Sequence, residues 1–265
     1  MKKEKIVGII GFGNMGTALG EGLKNKGWKV LIYDKEKKRL KGIKKILVSS
    51  SARELIKNSP LVIIAVKPQD ISFLVDEIRE AILTYNPLLI SIAAGVSTQF
   101  FEDKIPKVRI VRVMPNLAAK KRESISFISK GRYVIPQEVK IVEEIFKCIG
   151  DVVVTREEFL DKVTAISGSG PGYVYYFMNS IYRVALSLGF SKSVAKEMVI
   201  KTFWGAVSII KDSKEDFSFW IKKVASPKGT TEAAINFWKS CNLEKLIQKG
   251  VRKAYLRAKQ LSLKS

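Results

Sequence analysis

Apolar residues fall in short unbroken runs along the first 155 residues, at 5–11, 29–34, 61–66, 88–93, 109–114, 124–129 and 151–155. Several runs are rich in valine and isoleucine and lack polar alternation, the pattern of strands covered on both faces. Between them apolar positions return at helical intervals, as over 15–26 and 71–85. Val142, Ile145, Phe146 and Ile149 keep that spacing before the last run. Strand alternating with helix predicts an α/β domain with a doubly wound, mostly parallel sheet.

After about Phe159 no convincing strand follows. Helices are predicted over 172–188, 192–211 and 243–261; in the second, Val194, Met198, Phe203, Ala206 and Ile210 mark one apolar face. Ser191 and Thr231 are predicted helix N-caps. The chain therefore divides into an α/β domain over 1–158 and an all-helical domain over 159–265. Tyr173, Tyr175, Tyr176, Phe177 and Met178 make the helical part apolar on several sides, which favours burial against a second copy as a homodimer.

The first predicted strand runs into Gly11-Phe12-Gly13-Asn14-Met15-Gly16, a GxGxxG that opens a helix. In that context Gly11 makes the tight turn, Gly13 lets backbone approach a pyrophosphate, and Gly16 lets helix and strand pack closely. Free N–H groups at the helix start then hold the phosphates. This is a Rossmann-type dinucleotide site. Asp34 ends the second strand eighteen positions after Gly16, where an acid favours the ribose hydroxyls of NADH. Lys35, Lys37, Lys38 and Arg39 follow it and suit the 2′-phosphate of NADPH. The two cues leave the coenzyme open.

Composition narrows the chemistry. Histidine is absent and the two cysteines, Cys148 and Cys241, lie far apart, which excludes a zinc site and a histidine-based nucleophilic triad. Sparse cysteine suits the reducing cytoplasm. The net charge is +22, but the basic residues come in short groups such as 35–41, so a lysine-rich solvated surface is expected rather than a nucleic-acid face. The apolar run after the basic start is too short for a signal peptide. The uncharged stretches 81–101 and 163–182 are broken by Asn86-Pro87 and by glycines, so no membrane span is expected.

Four further segments add specificity: Ala65-Val66-Lys67-Pro68, Ala93-Ala94-Gly95-Val96, Asp161-Lys162-Val163-Thr164-Ala165-Ile166-Ser167-Gly168-Ser169-Gly170-Pro171-Gly172-Tyr173 and Val224-Ala225-Ser226-Pro227-Lys228-Gly229-Thr230-Thr231. With the glycine loop and Arg112-Val113-Met114-Pro115-Asn116, the chain resembles the pyrroline-5-carboxylate reductases over nearly its whole length. The resemblance implies hydride transfer from NADH or NADPH to the C=N carbon of 1-pyrroline-5-carboxylate, giving proline without a metal. It implies that Gly11 to Gly16, Asp34, Lys35, Ala65 to Pro68, Ala93 to Gly95 and Asn116 line the coenzyme site. Ser226, Gly229 and Thr230 would grip the substrate carboxylate, and Thr231 would orient the ring nitrogen. It further implies a dimer through the helical domain, and a decamer built from such dimers. A cyclic imine protonates readily, so the missing histidine is tolerable.

Two departures stand out. Lys228 occupies a position that is usually glycine in the family, and Gly172 one that is usually alanine. If residue 228 requires positive φ, its lysine is strained. A β-hydroxyacid dehydrogenase shares the glycine start but needs a lysine on the first long helix of its second domain, where Tyr173 to Met178 offer none. The glycine start would also suit a different imine reductase, or a non-catalytic NAD(P)-binding sensor.

Overall fold

The computed structural model describes residues 4–43 and 46–262. Packing divides the chain into two compact units. One runs up to Ser169 and takes back the chain from Ala254; the other is Gly170–Lys253.

In the first unit eight strands form one sheet: β1 (Ile6–Ile10), β2 (Lys29–Tyr33), β3 (Leu47–Val48), β4 (Leu61–Ile64), β5 (Leu88–Ser91), β6 (Ile110–Met114), β7 (Ser124–Lys130) and β8 (Gly150–Val154). They lie in the order β3-β2-β1-β4-β5-β6-β7-β8. Neighbours are parallel except β6 and β7. Helices α1 (Asn14–Asn25), α2 (Ala52–Lys57), α3 (Ile71–Tyr85), α4 (Thr98–Lys104) and α5 (Pro136–Phe146) complete the winding. The strand order turns back between β1 and β4, which opens a ligand crevice at their carboxyl ends.

The missing polar alternation has its cause here. Ile9, Ile32, Ile63 and Ile90 join one apolar cluster with Leu19 and Leu23 of α1 and Phe146 of α5. Their chain neighbours Ile10, Leu31, Ile64 and Leu89 join another with Leu55 and Ile56 of α2 and Val75 and Ile78 of α3. Both faces of each strand are covered, and each such side chain contributes about 1.5–3 kcal/mol on burial. Strands predicted to reach 11, 34, 66 and 93 stop at Ile10, Tyr33, Ile64 and Ser91, where the chain curls into the loops of the site. The two-residue β3 escaped the sequence reading; Leu47 and Val48 are half-exposed at the sheet edge and too short to show a period.

Residues 159–169 are helical yet belong to the sheet unit. They form α6 (Leu160–Val163) and a π-helical turn over Thr164–Gly168. Leu160 and Ala165 are buried, and Asp161 pairs with Arg112 of β6 at 2.6 Å. The boundary drawn at 158 marks a change of element type, whereas the packing changes at Ser169. By packing, the chain from Ala254 is also grouped with the sheet unit.

The second unit carries α7 (Gly170–Ser187), α8 (Lys192–Ile210), α9 (Phe217–Val224), α10 (Thr230–Ser240) and most of α11 (Leu243–Ser262). Ser191 caps α8 as expected, its Oγ accepting the Val194 N–H at 3.4 Å. The unpredicted α9 is short; Asp216 caps it by accepting the Phe219 N–H at 2.8 Å. That bond and one from the Ser218 hydroxyl hold the Asp216 carboxyl below its ordinary value. Within Gly170–Lys253 only Ala185, Ala195 and Val199 are buried, while Tyr176 is 73% and Trp204 68% exposed.

Of the two thiols, Cys241 is exposed and Cys148 is buried. Burial pushes the Cys148 thiol up to about 12, so it is an inert packing group.

Candidate active site

The three loop glycines have three different reasons to lack a side chain. Gly11 sits at φ +95°, donates its N–H to the Tyr33 carbonyl at 2.8 Å, and would place a Cβ 2.7 Å from the Ala65 carbonyl. At Gly16 a Cβ would fall on the Gly11 carbonyl oxygen, so glycine there sets how closely α1 approaches β1. Gly13 caps α1 without a side-chain bond, and a Cβ built on it meets nothing within 4 Å. The space above Gly13 is therefore open, beside the unpaired N–H groups of the first helical turn. That is the geometry an anion requires.

This loop forms one wall of a cavity of about 720 Å³ across the ends of β1, β2 and β4. Gly11, Gly13, Asn14, Met15, Asp34, Lys35, Ala65, Val66 and Lys67, all expected at the coenzyme, line it. Phe12 does not: its ring is buried in the core and only its backbone serves the loop. Gly16 and Pro68 do not line it either; Pro68 begins the short 3-10 helix Pro68–Asp70. Sequence reasoning missed Tyr33, Glu36, Gln69, Asp70 and Phe73, which line the cavity from the end of β2, the turn after it and the start of α3. They belong to no motif; only their position after strand ends at the crevice marks them.

Asp34 is engaged inside the protein. One oxygen accepts the Phe12 N–H at 2.7 Å, the other the Glu36 N–H at 2.8 Å, and Arg39 approaches at 3.3 Å. The carboxylate is nearly inaccessible and ties the glycine loop to the turn after β2. Of the cations that follow, Lys35, Lys38 and Arg39 are paired. Lys35 binds Asp70 at 2.7 Å, and this bond holds its ammonium above the ordinary lysine value. Arg39 meets Glu36 at 2.6 Å and Lys38 meets the other Glu36 oxygen at 3.4 Å.

The other predicted coenzyme residues lie off this cavity. Ala93 is buried and Ala94 half-buried. Gly95, at φ +78°, accommodates the end of α11: a Cβ there would stand 2.7 Å from the Cβ of Leu261. Asn116 caps a short 3-10 helix through the Ala118 N–H at 3.1 Å. Its amide donates to the Ser167 hydroxyl at 3.0 Å, fastening the Met114-Pro115-Asn116 turn to the π-helical segment.

In the helical unit, Lys228 does take positive φ, +61°. Its N–H donates to the Glu232 carboxylate at 2.7 Å, which holds a turn that costs a non-glycine residue of the order of 1 kcal/mol. Gly229, whose N–H donates to the Ser226 carbonyl at 2.9 Å, is the N-cap of α10. Thr231 is therefore not the cap predicted from the sequence; Thr230 and Thr231 occupy the first two helical positions. A Cβ on Gly229 would meet the Ser226 hydroxyl at 2.5 Å, so Ser226 and the helix start are pressed together. No side chain caps α10, which leaves its first N–H groups to meet an anion.

Among the described residues no cluster of three or more His, Cys, Asp or Glu is placed to hold a metal, and no helix is long and apolar enough to cross a membrane.

Two family models match separate parts of the chain. Residues 157–261 match the model of pyrroline-5-carboxylate reductase dimerisation. Residues 6–95 match that of coenzyme F420-dependent NADP oxidoreductases. A pyrroline-5-carboxylate reductase of Methanosarcina acetivorans is 32% identical over 272 residues, covering 100% of both chains. The solved structure of one from Coxiella burnetii superposes with a TM-score of 0.87 at 29% identity, covering 98% of this chain and 99% of that one. That of Plasmodium falciparum pyrroline carboxylate reductase, with NADP bound, gives 0.89 at 28% identity, covering 99% of each.

Proposed function

The chain belongs to the pyrroline-5-carboxylate reductase family, and from that premise we propose that it reduces the C=N bond of 1-pyrroline-5-carboxylate to L-proline. The observation that carries the reading is the open space over Gly13 at an uncapped helix start, in a chain that also carries the Ser226 to Thr231 turn. A nicotinamide dinucleotide supplies a hydride, so the protein's task is binding and orientation. Gly13, Asn14 and Met15 would hold its pyrophosphate through backbone N–H groups, with Asp34, Lys35, Ala65, Val66 and Lys67 around the nucleotide.

Ser226, Gly229 and Thr230 would receive the substrate carboxylate at the start of α10, and the Thr231 hydroxyl would hydrogen-bond the ring nitrogen. The imine nitrogen takes its proton from water before reduction, so the carbon receives the hydride without a strong protein acid. On this reading Ala93, Ala94, Gly95 and Asn116 line the coenzyme site beyond that cavity, as the resemblance implies. We assign a homo-oligomer to the apolar helical unit and, from two free thiols, the reducing cytoplasm.

The direct test follows NADH and NADPH oxidation with 1-pyrroline-5-carboxylate, with six-membered and carboxylate-free imines as comparators. No turnover with the first would defeat the assignment. Thr231→Ala should lower kcat about tenfold or more, with coenzyme Kd nearly unchanged and Thr231→Ser restoring much of the rate. Unaltered kinetics would remove the role given to Thr231.

A further inference from the structure

Resting on the dinucleotide reading above, we propose that Glu36 rather than Asp34 decides which coenzyme the site accepts. It does so by neutralising the cations that would otherwise receive a 2′-phosphate. Asp34 is then a positioning residue for the glycine loop.

Asp34 stands where an acid usually meets the ribose, yet both its oxygens are taken by backbone N–H groups, those of Phe12 and Glu36. Its removal strands two donors and unfastens the loop that seats the pyrophosphate, a loss felt by either coenzyme. Glu36 also lines the cavity, and among the described residues its carboxylate pairs with cations: Arg39 Nη2 on one oxygen and Lys38 Nζ on the other.

The charges joined in ion pairs after β2 match one for one. Asp34 and Glu36 face Arg39 and Lys38, and Lys35 faces Asp70. A ribose with free hydroxyls meets paired charges that include carboxylate acceptors. A 2′-phosphate, bringing nearly two negative charges, meets a guanidinium already bridging two carboxylates. Ionised Glu36 thus favours NADH. Neutralising Glu36 leaves one net positive charge and frees one arm of Arg39, whose planar fork suits a phosphate.

The experiment measures Kd for NADH and NADPH by direct titration of the full chain without imine, then kcat/KM with each. The native chain should prefer NADH. Glu36→Gln and Glu36→Ala should each shift the ratio of affinities about tenfold towards NADPH, and Arg39→Ala in the Glu36→Gln background should abolish the gain. Asp34→Asn should weaken both coenzymes together and leave their ratio nearly fixed, with the circular dichroism spectrum confirming a folded chain.

An unchanged ratio in both Glu36 variants overturns the proposal. So does an Asp34→Asn chain that turns to NADPH with its NADH affinity intact. Should the affinities shift as expected while 1-pyrroline-5-carboxylate is not turned over, only the substrate assignment falls. Should neither coenzyme bind the native chain, the dinucleotide reading falls and takes this inference with it.

Discussion

At Gly13 and Gly16, three residues apart, the same substitution should have opposite readouts. Gly13→Ala places a methyl in open cavity, so the melting temperature should stay within a few degrees while coenzyme affinity falls about tenfold or more through lost backbone approach. Gly16→Ala drives a methyl onto the Gly11 carbonyl and should cost about 1–3 kcal/mol, read as a lower melting temperature even without coenzyme. Equal stability in the two variants would refute the division of labour. The three glycines were legible in the sequence because their spacing encodes backbone geometry. The partners of Asp34 were not. They depend on where the Phe12 and Glu36 N–H groups point after folding, which residue type alone does not determine. Lys228 shows the intermediate case: the sequence posed a condition on φ, and the turn fulfils it with a clasp from Glu232.

Elements buried on two faces were the easiest to read. Ile9 and Ile10 look alike in sequence because each meets an apolar layer, and α3 was predicted with its observed bounds. What failed was short or polar. Neither β3 nor α9 has the length to show a period, and the start of α10 was misplaced because a Thr-Thr pair outweighed Gly229 as a cap. Arg112, inside β6, illustrates a polar residue that periodicity treats as noise. Its side chain is only 4% exposed and joins Glu157 at 3.4 Å and Asp161 at 2.6 Å. Glu157 in turn accepts the Thr98 N–H at 2.8 Å at the start of α4. Arg112→Ala should destabilise the protein by about 3–5 kcal/mol, because two half-buried carboxylates lose their cation. A denaturation midpoint close to that of the native chain would show the network to be dispensable.

Across the whole molecule, the contrast between the units is one of burial. The sheet unit buries most of its large aliphatic residues, while the helical unit leaves Tyr176, Trp204 and Phe217 in solvent. A single copy with so much exposed apolar surface has its stability tied to association. Light scattering should therefore give a mass that is a multiple of the chain's. Tyr176→Asp with Trp204→Glu should reduce it to the single-chain mass and lower the melting temperature. A native chain that is monomeric at micromolar concentration would contradict the homo-oligomer. The sequence foresaw this surface because clustered aromatics need a cover. It did not foresee where the units divide, since 159–169 are helical but pack with the sheet through Leu160 and Asp161.

The return of α11 carries a consequence of its own. Ser262 donates to Asp161 at 2.9 Å, and Leu261 fills the gap left by Gly95. The helical unit is thus a long insertion stitched into its host at both margins, at Ser169 and at Ala254. Fraying of the final turn of α11, within the sheet unit, would uncover the bend after β5 and leave Asp161 with one partner fewer. Disorder starting among the helices reaches the strand framework along covalent chain from two directions at once.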